Sequence, residues 1–296
     1  MKKERLNVNV ARAITDFEQV MKEFQLKEKV WRIIYRGKGL EFDGYREYMQ
    51  DDDAVNIDWK ASQRANQLLV KRYKEERDLE IVFLVDVSEN MLFGSVEKLK
   101  CENVAEMLAA LSHLIISSND KIGFVFFSDK IKEYVPPKGG INQLYFFIDK
   151  LSDPDSYNGG SNPRVAFDFA LRYLPKSIHA VFFVSDFIRM KKDALKNLYL
   201  LSHKFETTAF MVKDPLDVTL PDIDKEIVIE DPVSGQQLLV NPKMARRLYE
   251  KHALAQEKES REIFLRANVD FFKFVTDKYF VYPLAEFLKG RLAKRG

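Results

Sequence analysis

The chain alternates dense apolar runs with stretches in which apolar residues recur at helical spacing. Ile81 to Val85 is an unbroken apolar run, KIGFVFFS at 121–128 is a second, and AVFFV at 180–184 is a third. Such runs read as strands buried on both faces, as in a parallel sheet with helices on each side. Val104, Met107, Leu108, Leu111 and Ile115 trace one helical face across 98–117, ended by Ser117, Ser118, Asn119 and Asp120. IKEYV at 131–135 follows a tight reversal at Asp129–Lys130 and predicts an antiparallel edge strand, stopped by Pro136 and Pro137. A short helix over 141–151, a polar loop at 153–163 and a helix from there to about Leu174 come next. Asn162 and Pro163 offer an N-cap and a first helical residue for that helix. The alternation continues with a helix at 191–202, a strand at 207–212, a turn-rich linker at 214–224 and a β-hairpin of 226–231 against 236–241. A charged helix at about 243–266, a strand at 269–275 and a helix at 283–292 close the chain. The pattern predicts an α/β class with a mostly parallel sheet and right-handed crossovers.

Residues 1–77 are more polar. MKKERLNVN reads as a loose tip, followed by an amphipathic helix with Ile14, Phe17, Val20 and Met21 on one face. VWRIIY at 30–35 is a strand candidate ended by Arg36 to Gly39, and LLVKRY at 68–73 is another. The acidic run Asp51, Asp52 and Asp53 reads as a solvated turn, with a recognition surface around Arg46, Trp59, Ser62 and Arg64 as the alternative. The expected organisation is 1–77 packed on a main domain of 78–296, which carries a hairpin insertion at about 225–241. The aromatic content of 40–77 argues against a free tail.

Composition changes this picture little. With 46% hydrophobic and 31% charged residues among 296, the chain matches an ordinary globular protein, and a net charge of +2 gives no case for nucleic acid or a membrane surface. A lone cysteine, Cys101, excludes an intramolecular disulfide, and four scattered histidines show no ligand spacing. No apolar stretch reaches 18 residues and no leader is seen, so a cytoplasmic protein without direct membrane insertion is expected.

Candidate chemistry gathers at the ends of the apolar strands. The first ends in Asp86, followed by Ser88 and Asn90, and the third ends in Ser185–Asp186. Between them Ser161 follows Gly159 and Gly160 at a helix start. In an open α/β sheet, ligands bind at the carboxyl ends of the strands. Small oxygen-bearing side chains there suit a hard cation such as Mg²⁺. Local capping of turns by Asp86 and Ser88 is the alternative. One site formed from three loops accounts for all these features together.

These residues also carry a family likeness. GKGLEFDGYREYMQDDDAVNIDWKASQRANQLLVKRYKEERDLEIVFLVDVSENMLFGS at 37–95, the GG before Ser161, VSDF at 184–187, TLPD at 219–222, EDPVSG at 230–235 and TDKYFVYPLAEFLKGR at 276–291 resemble the DUF58 family. These are bacterial and archaeal proteins built around a von Willebrand factor type A domain. The resemblance implies a doubly wound, mostly parallel sheet. It also implies a metal-ion-dependent adhesion site of Asp86, Ser88, Asn90, Ser161 and Asp186. Asn90 stands where a second serine is usual, and Ser161 replaces a threonine. Mg²⁺ is the implied ion, with Mn²⁺ or Ca²⁺ as alternatives. The implied partners are a protein offering an Asp or Glu to the metal and a MoxR-type AAA+ ATPase acting in maturation or assembly. The chain itself has no GxxxxGK[ST] motif.

The leading expectation is therefore a metal-dependent protein-interaction module rather than an enzyme. A metal-free structural scaffold is one alternative, favoured by Asn90. A Mg²⁺-dependent phosphohydrolase with Asp86 as nucleophile is another. It lacks a second carboxylate at the usual spacing, because Glu89 points elsewhere in an extended loop.

Overall fold

The computed structural model describes residues 5–26, 40–49, 52, 57–75, 79–188, 190, 192–230 and 235–293. The strand expected at 30–35, its stop at 36–39, and Asp51 and Asp53 lie outside them. Helix α1 (Val10–Glu23) leads to β1 (Leu40–Glu47), α2 (Trp59–Ala65) and β2 (Leu69–Glu75). The alternating part begins β3 (Glu80–Asp86), α3 (Lys100–Ser117), β4 (Lys121–Phe127), β5 (Ile131–Lys138), α4 (Ile141–Leu151), α5 (Pro163–Tyr173) and β6 (Ile178–Ser185). It continues α6 (Leu195–Lys204), β7 (Glu206–Lys213), β8 (Ile227–Glu230), β9 (Gln237–Val240), α7 (Pro242–Arg266), β10 (Asp270–Val275) and α8 (Val281–Ala293).

Six strands form one sheet in the order β10-β7-β6-β3-β4-β5, parallel throughout except for the antiparallel pair β4–β5. The order runs outward in both directions from β3 and β6, the arrangement of a doubly wound α/β fold. Because side chains alternate across a strand, β3 feeds two cores. Ile81, Phe83 and Val85 pack with Phe17, Leu108, Phe147 and Leu284 on one face. Val82 and Leu84 pack with Phe167, Leu198 and Phe264 on the other. The unbroken apolar runs thus reflect burial on both faces.

Residues 5–9 are not a loose tip. Leu6 N–H donates to Ser152 O at 3.2 Å, and the N–H groups of Asn7 and Asn9 donate to Glu102 and Glu106 of α3, both at 2.6 Å. These bonds add to the donors that Leu99 N–H and Lys98 already give the two buried carboxylates, and they seat α1 with Ala13, Phe17, Val20 and Met21 in the core. Strands β1 and β2 instead pair with each other in a separate antiparallel sheet, where Leu69 and Val70 are buried outside both main cores. Of the acidic run, Asp52 accepts from Arg46 at 2.6 Å, and Arg46 holds its carboxyl down at about 2.

Two boundaries and one cap differ from expectation. Strand β5 continues through Pro136 and Pro137 to Lys138, since an edge strand tolerates residues that cannot donate to a ladder. Gly123 opposite makes this possible, because a Cβ there would meet Pro137 N at 2.7 Å and Val135 O at 2.8 Å. The helix expected at 191–202 begins as a 3₁₀ turn at Lys192–Ala194. Asn162 occupies the N-cap of α5 but makes no side-chain cap bond, although Pro163 does hold the first helical position.

Two outcomes are expected from this packing. Phe17→Ala should destabilise the protein by about 3–5 kcal/mol, because the ring is fully buried in the larger core. Urea unfolding measures this, and a loss below about 1 kcal/mol would place α1 outside the cooperative core. Gly123→Ala should cost about 1–3 kcal/mol and speed amide exchange selectively in β5, since both obstructing atoms are backbone. Unchanged exchange in β5 would contradict the close approach.

Candidate functional site

The carboxyl ends of β3 and β6 lie side by side at the point where the strand order reverses. Asp86, the last residue of β3, is 1% exposed and fully engaged. Its Oδ2 accepts from the hydroxyls of Ser161 and Ser185, each at 2.6 Å, and its Oδ1 accepts from the Ser88 N–H at 2.9 Å. Burial pushes its pKa above the ordinary aspartate range and the charge of Asp186 adds to this, while the hydroxyls of Ser161 and Ser185 pull the other way. The Ser88 hydroxyl is buried and has no hydrogen-bond partner among the described residues.

Backbone pairing fixes the loops that carry these groups. Val87 N–H donates to Phe127 O at 2.8 Å and Asn158 N–H to Val87 O at 3.0 Å. The loop after β3 is not extended but turns into a 3₁₀ helix over Glu89–Leu92. Glu89 therefore faces the second loop. Its N–H donates to Gly159 O at 3.0 Å and its Oε1 accepts from Gly159 N–H at 3.1 Å. Gly159 has φ +79°, and a Cβ there would come within 3.0 Å of the Asp129 carboxylate, so glycine suits both the turn and the contact.

Asp186 sits at the same sheet edge, fully buried, with a different set of partners. Its Oδ1 accepts from Ile188 N–H at 3.1 Å, and its Oδ2 meets Lys100 Nζ at 3.0 Å. The same ammonium reaches Asp217 Oδ2 at 3.1 Å, and the Lys100 side chain is 2% exposed. Burial alone would favour a neutral amine. The charges of Asp186 and Asp217 and the bonds to both outweigh it, raising the pKa above the usual lysine value. Asp217 Oδ2 also accepts from Asp214 N–H at 2.9 Å, and Asp214 accepts from Ser95 N–H at 2.7 Å and Leu216 N–H at 2.8 Å. Burial lowers the pKa of Lys213, which faces the same aspartates.

Of the five residues singled out from the sequence, Asp86, Ser88 and Ser161 form one contact group and Asp186 lies on the neighbouring strand end. Asn90 follows Ser88 in the same loop. It lies in the 3₁₀ turn, lining a cleft of about 880 Å³ with Phe93, Lys100, Asp217, Ile229 and Tyr249. Lys100 and Asp217 are the site residues that sequence reasoning passed over, and Ser185 was noted at its strand end without being given a role. Lys100 did leave a signal, because a cation in the first turn of a helix opposes the helix dipole and needs nearby anions. Among the described residues no three His, Cys, Asp or Glu side chains are grouped to hold a metal, so hydroxyls must supply much of any ligand set. Burial pushes the Cys101 thiol up to about 12, removing it as a thiolate nucleophile. No helix among the described residues is long and apolar enough to cross a membrane.

Uncharacterised proteins of Mycobacterium tuberculosis and Mycobacterium bovis are similar to this chain at 23% identity over 259 residues, covering 86% of it and 80% of each relative. A conserved hypothetical protein, BatB, of Bacteroides thetaiotaomicron shares the fold with a TM-score of 0.51 at 15% identity, over 73% of this chain and 99% of that one. Residues 44–259 match the family described as "Protein of unknown function DUF58". That match spans most of the chain, which therefore belongs to the DUF58 family.

Proposed function

We propose that the chain is a protein-interaction module that docks its partner at the carboxyl ends of β3 and β6 through a divalent ion. The observation that carries this reading is the buried Ser88 hydroxyl without a partner, set beside the Asp86 carboxylate. A buried polar atom left unmet is costly, and a hard cation taking oxygen ligands is one group that would meet it. Ser88 and Ser161 would ligate directly, with Asp86 and Asp186 supplying negative charge. The ion would offer a partner's Asp or Glu the largest local positive charge. Asn90 lines the adjoining cleft, where it can meet the partner segment.

The family resemblance adds a partner class, a MoxR-type AAA+ ATPase, and assigns nucleotide hydrolysis to that partner. The phosphohydrolase alternative gains no support, because Glu89 is tied to Gly159. The metal-free scaffold has one observation in its favour, the ammonium of Lys100 already resting on Asp186.

Ser88→Ala separates the readings. With no hydrogen bond to lose, the variant should match or exceed the wild type's stability in chelator by up to about 1 kcal/mol. Its binding to the purified ATPase should nevertheless fall by about tenfold or more, a difference of about 1.4 kcal/mol. An ATPase has its own Mg²⁺ requirement, so the variant is more informative than EDTA. Equal binding by wild type and Ser88→Ala, measured by fluorescence titration, would remove the ion from the interface.

A further inference from the structure

Lys100 is a lysine in the first turn of α3, buried beneath the site and shared between two carboxylates. Its Nζ lies 3.0 Å from Asp186 Oδ2 and 3.1 Å from Asp217 Oδ2. Asp186 is at the end of β6, whereas Asp217 ends the short 3₁₀ turn Pro215–Asp217 that leads toward the β8–β9 hairpin. One ammonium therefore ties the site to the turn from which the chain runs on to the hairpin. It lines the cleft between them, in company with Asn90, Phe93, Asp217 and Tyr249. A helix N-terminus is an unfavourable place for a cation, so the helix itself does not hold Lys100 there. The two aspartates do.

The consequence concerns Asp186. A carboxylate whose oxygen already receives an ammonium at 3.0 Å is largely neutralised, and a second cation gains less from it than from a bare carboxylate. We infer that Lys100 is an intramolecular competitor for the divalent ion: a tethered cation that holds Asp186 and must yield it as the ion binds. The inference rests on the ion-binding reading of this site, and it specifies that site's regulation. It makes the affinity for metal a difference between two cations rather than the full attraction of the two aspartates. It also gives the hairpin a means of sensing the ion, because an ammonium released from Asp186 remains on Asp217. By linkage, whatever pulls Lys100 toward the hairpin tightens the ion, and the ion in turn frees Lys100 for the hairpin.

The test uses the full chain and Mn²⁺ alone, with no partner present. Free Mn²⁺ is titrated by electron paramagnetic resonance for wild type, Lys100→Gln and Lys100→Gln/Asp217→Asn. The double variant removes one positive and one negative charge, leaving the net charge unchanged, so it isolates competition from bulk attraction. It should bind Mn²⁺ about tenfold tighter than wild type or more, and a further Asp186→Asn change should abolish the gain. Mn²⁺ should also raise the melting temperature of both Lys100 variants well beyond its effect on wild type. Should a variant be unfolded in chelator, refolding on addition of Mn²⁺ supports the inference. Failure to refold shows that no ion can replace the ammonium and overturns it. Equal Mn²⁺ affinity in wild type and the folded double variant overturns it as well, as does absence of binding by all of them. Partner binding indifferent to Ser88→Ala would end the docking proposal while leaving tightened Mn²⁺ binding by the double variant intact, so the two can fail separately.

Discussion

Taking the Asp86 carboxylate out of water requires a donor for each of its oxygens, and the three donors come from three different parts of the chain. Ser88 N–H belongs to the loop after β3, Ser161 to the loop before α5, and Ser185 to the end of β6. One buried anion therefore draws together segments separated by up to 99 residues. The apolar strands fix where this happens. With Ile81 to Val85 committed to cores on both faces, Asp86 is the first residue after that run free to carry a polar side chain. The register of β3 with β6 then brings Ser185 within reach. Satisfying Asp86 and assembling the site are the same event.

The charges around that centre form a chain of dependencies. Asp86 and Asp186 repel when both are ionised, Asp186 is held by Lys100, Lys100 is shared with Asp217, and Asp217 is oriented by Asp214 N–H. Breaking a buried pair by removing one partner typically costs about 3–5 kcal/mol, because a charge is left without compensation. Each member is thus stable only while its neighbour is present, or while another cation takes the neighbour's place. The arrangement runs from the strand ends to the cleft that Lys100 and Asp217 share with the hairpin, where Leu238 stands exposed.

Much of the fold was legible because the sheet is buried on both faces, and that burial writes itself into the chain as unbroken apolar runs. The β4–β5 hairpin and the β8–β9 hairpin were legible from turn chemistry. Where reading failed, a long-range contact had overruled a local signal. Residues 5–9 look like a polar tail, yet their N–H groups bond to Glu102 and Glu106. Pro136 and Pro137 look like a stop, yet Gly123 lets an edge strand pass. Asp86, Ser88 and Ser161 could be found as small oxygen-bearing residues at strand and helix ends. Lys100 left only the hint of a cation in the first turn of a helix, which ordinarily reads as solvated, and only the fold brings Asp186 and Asp217 to it. Asn90 lies in a 3₁₀ turn that an alternating reading of Asp86, Ser88 and Asn90 does not foresee.

The proposed ion site holds a buried hydroxyl without a partner, while a lysine already rests on one of its aspartates. Diffraction from crystals grown in Mn²⁺, with anomalous differences collected at the manganese edge, tests both halves at once. The predicted result is a peak within ligand distance of Ser88 Oγ and Ser161 Oγ, with Lys100 Nζ withdrawn from Asp186 and still on Asp217. A map with no peak among these residues and Lys100 still bonded to Asp186 would contradict it.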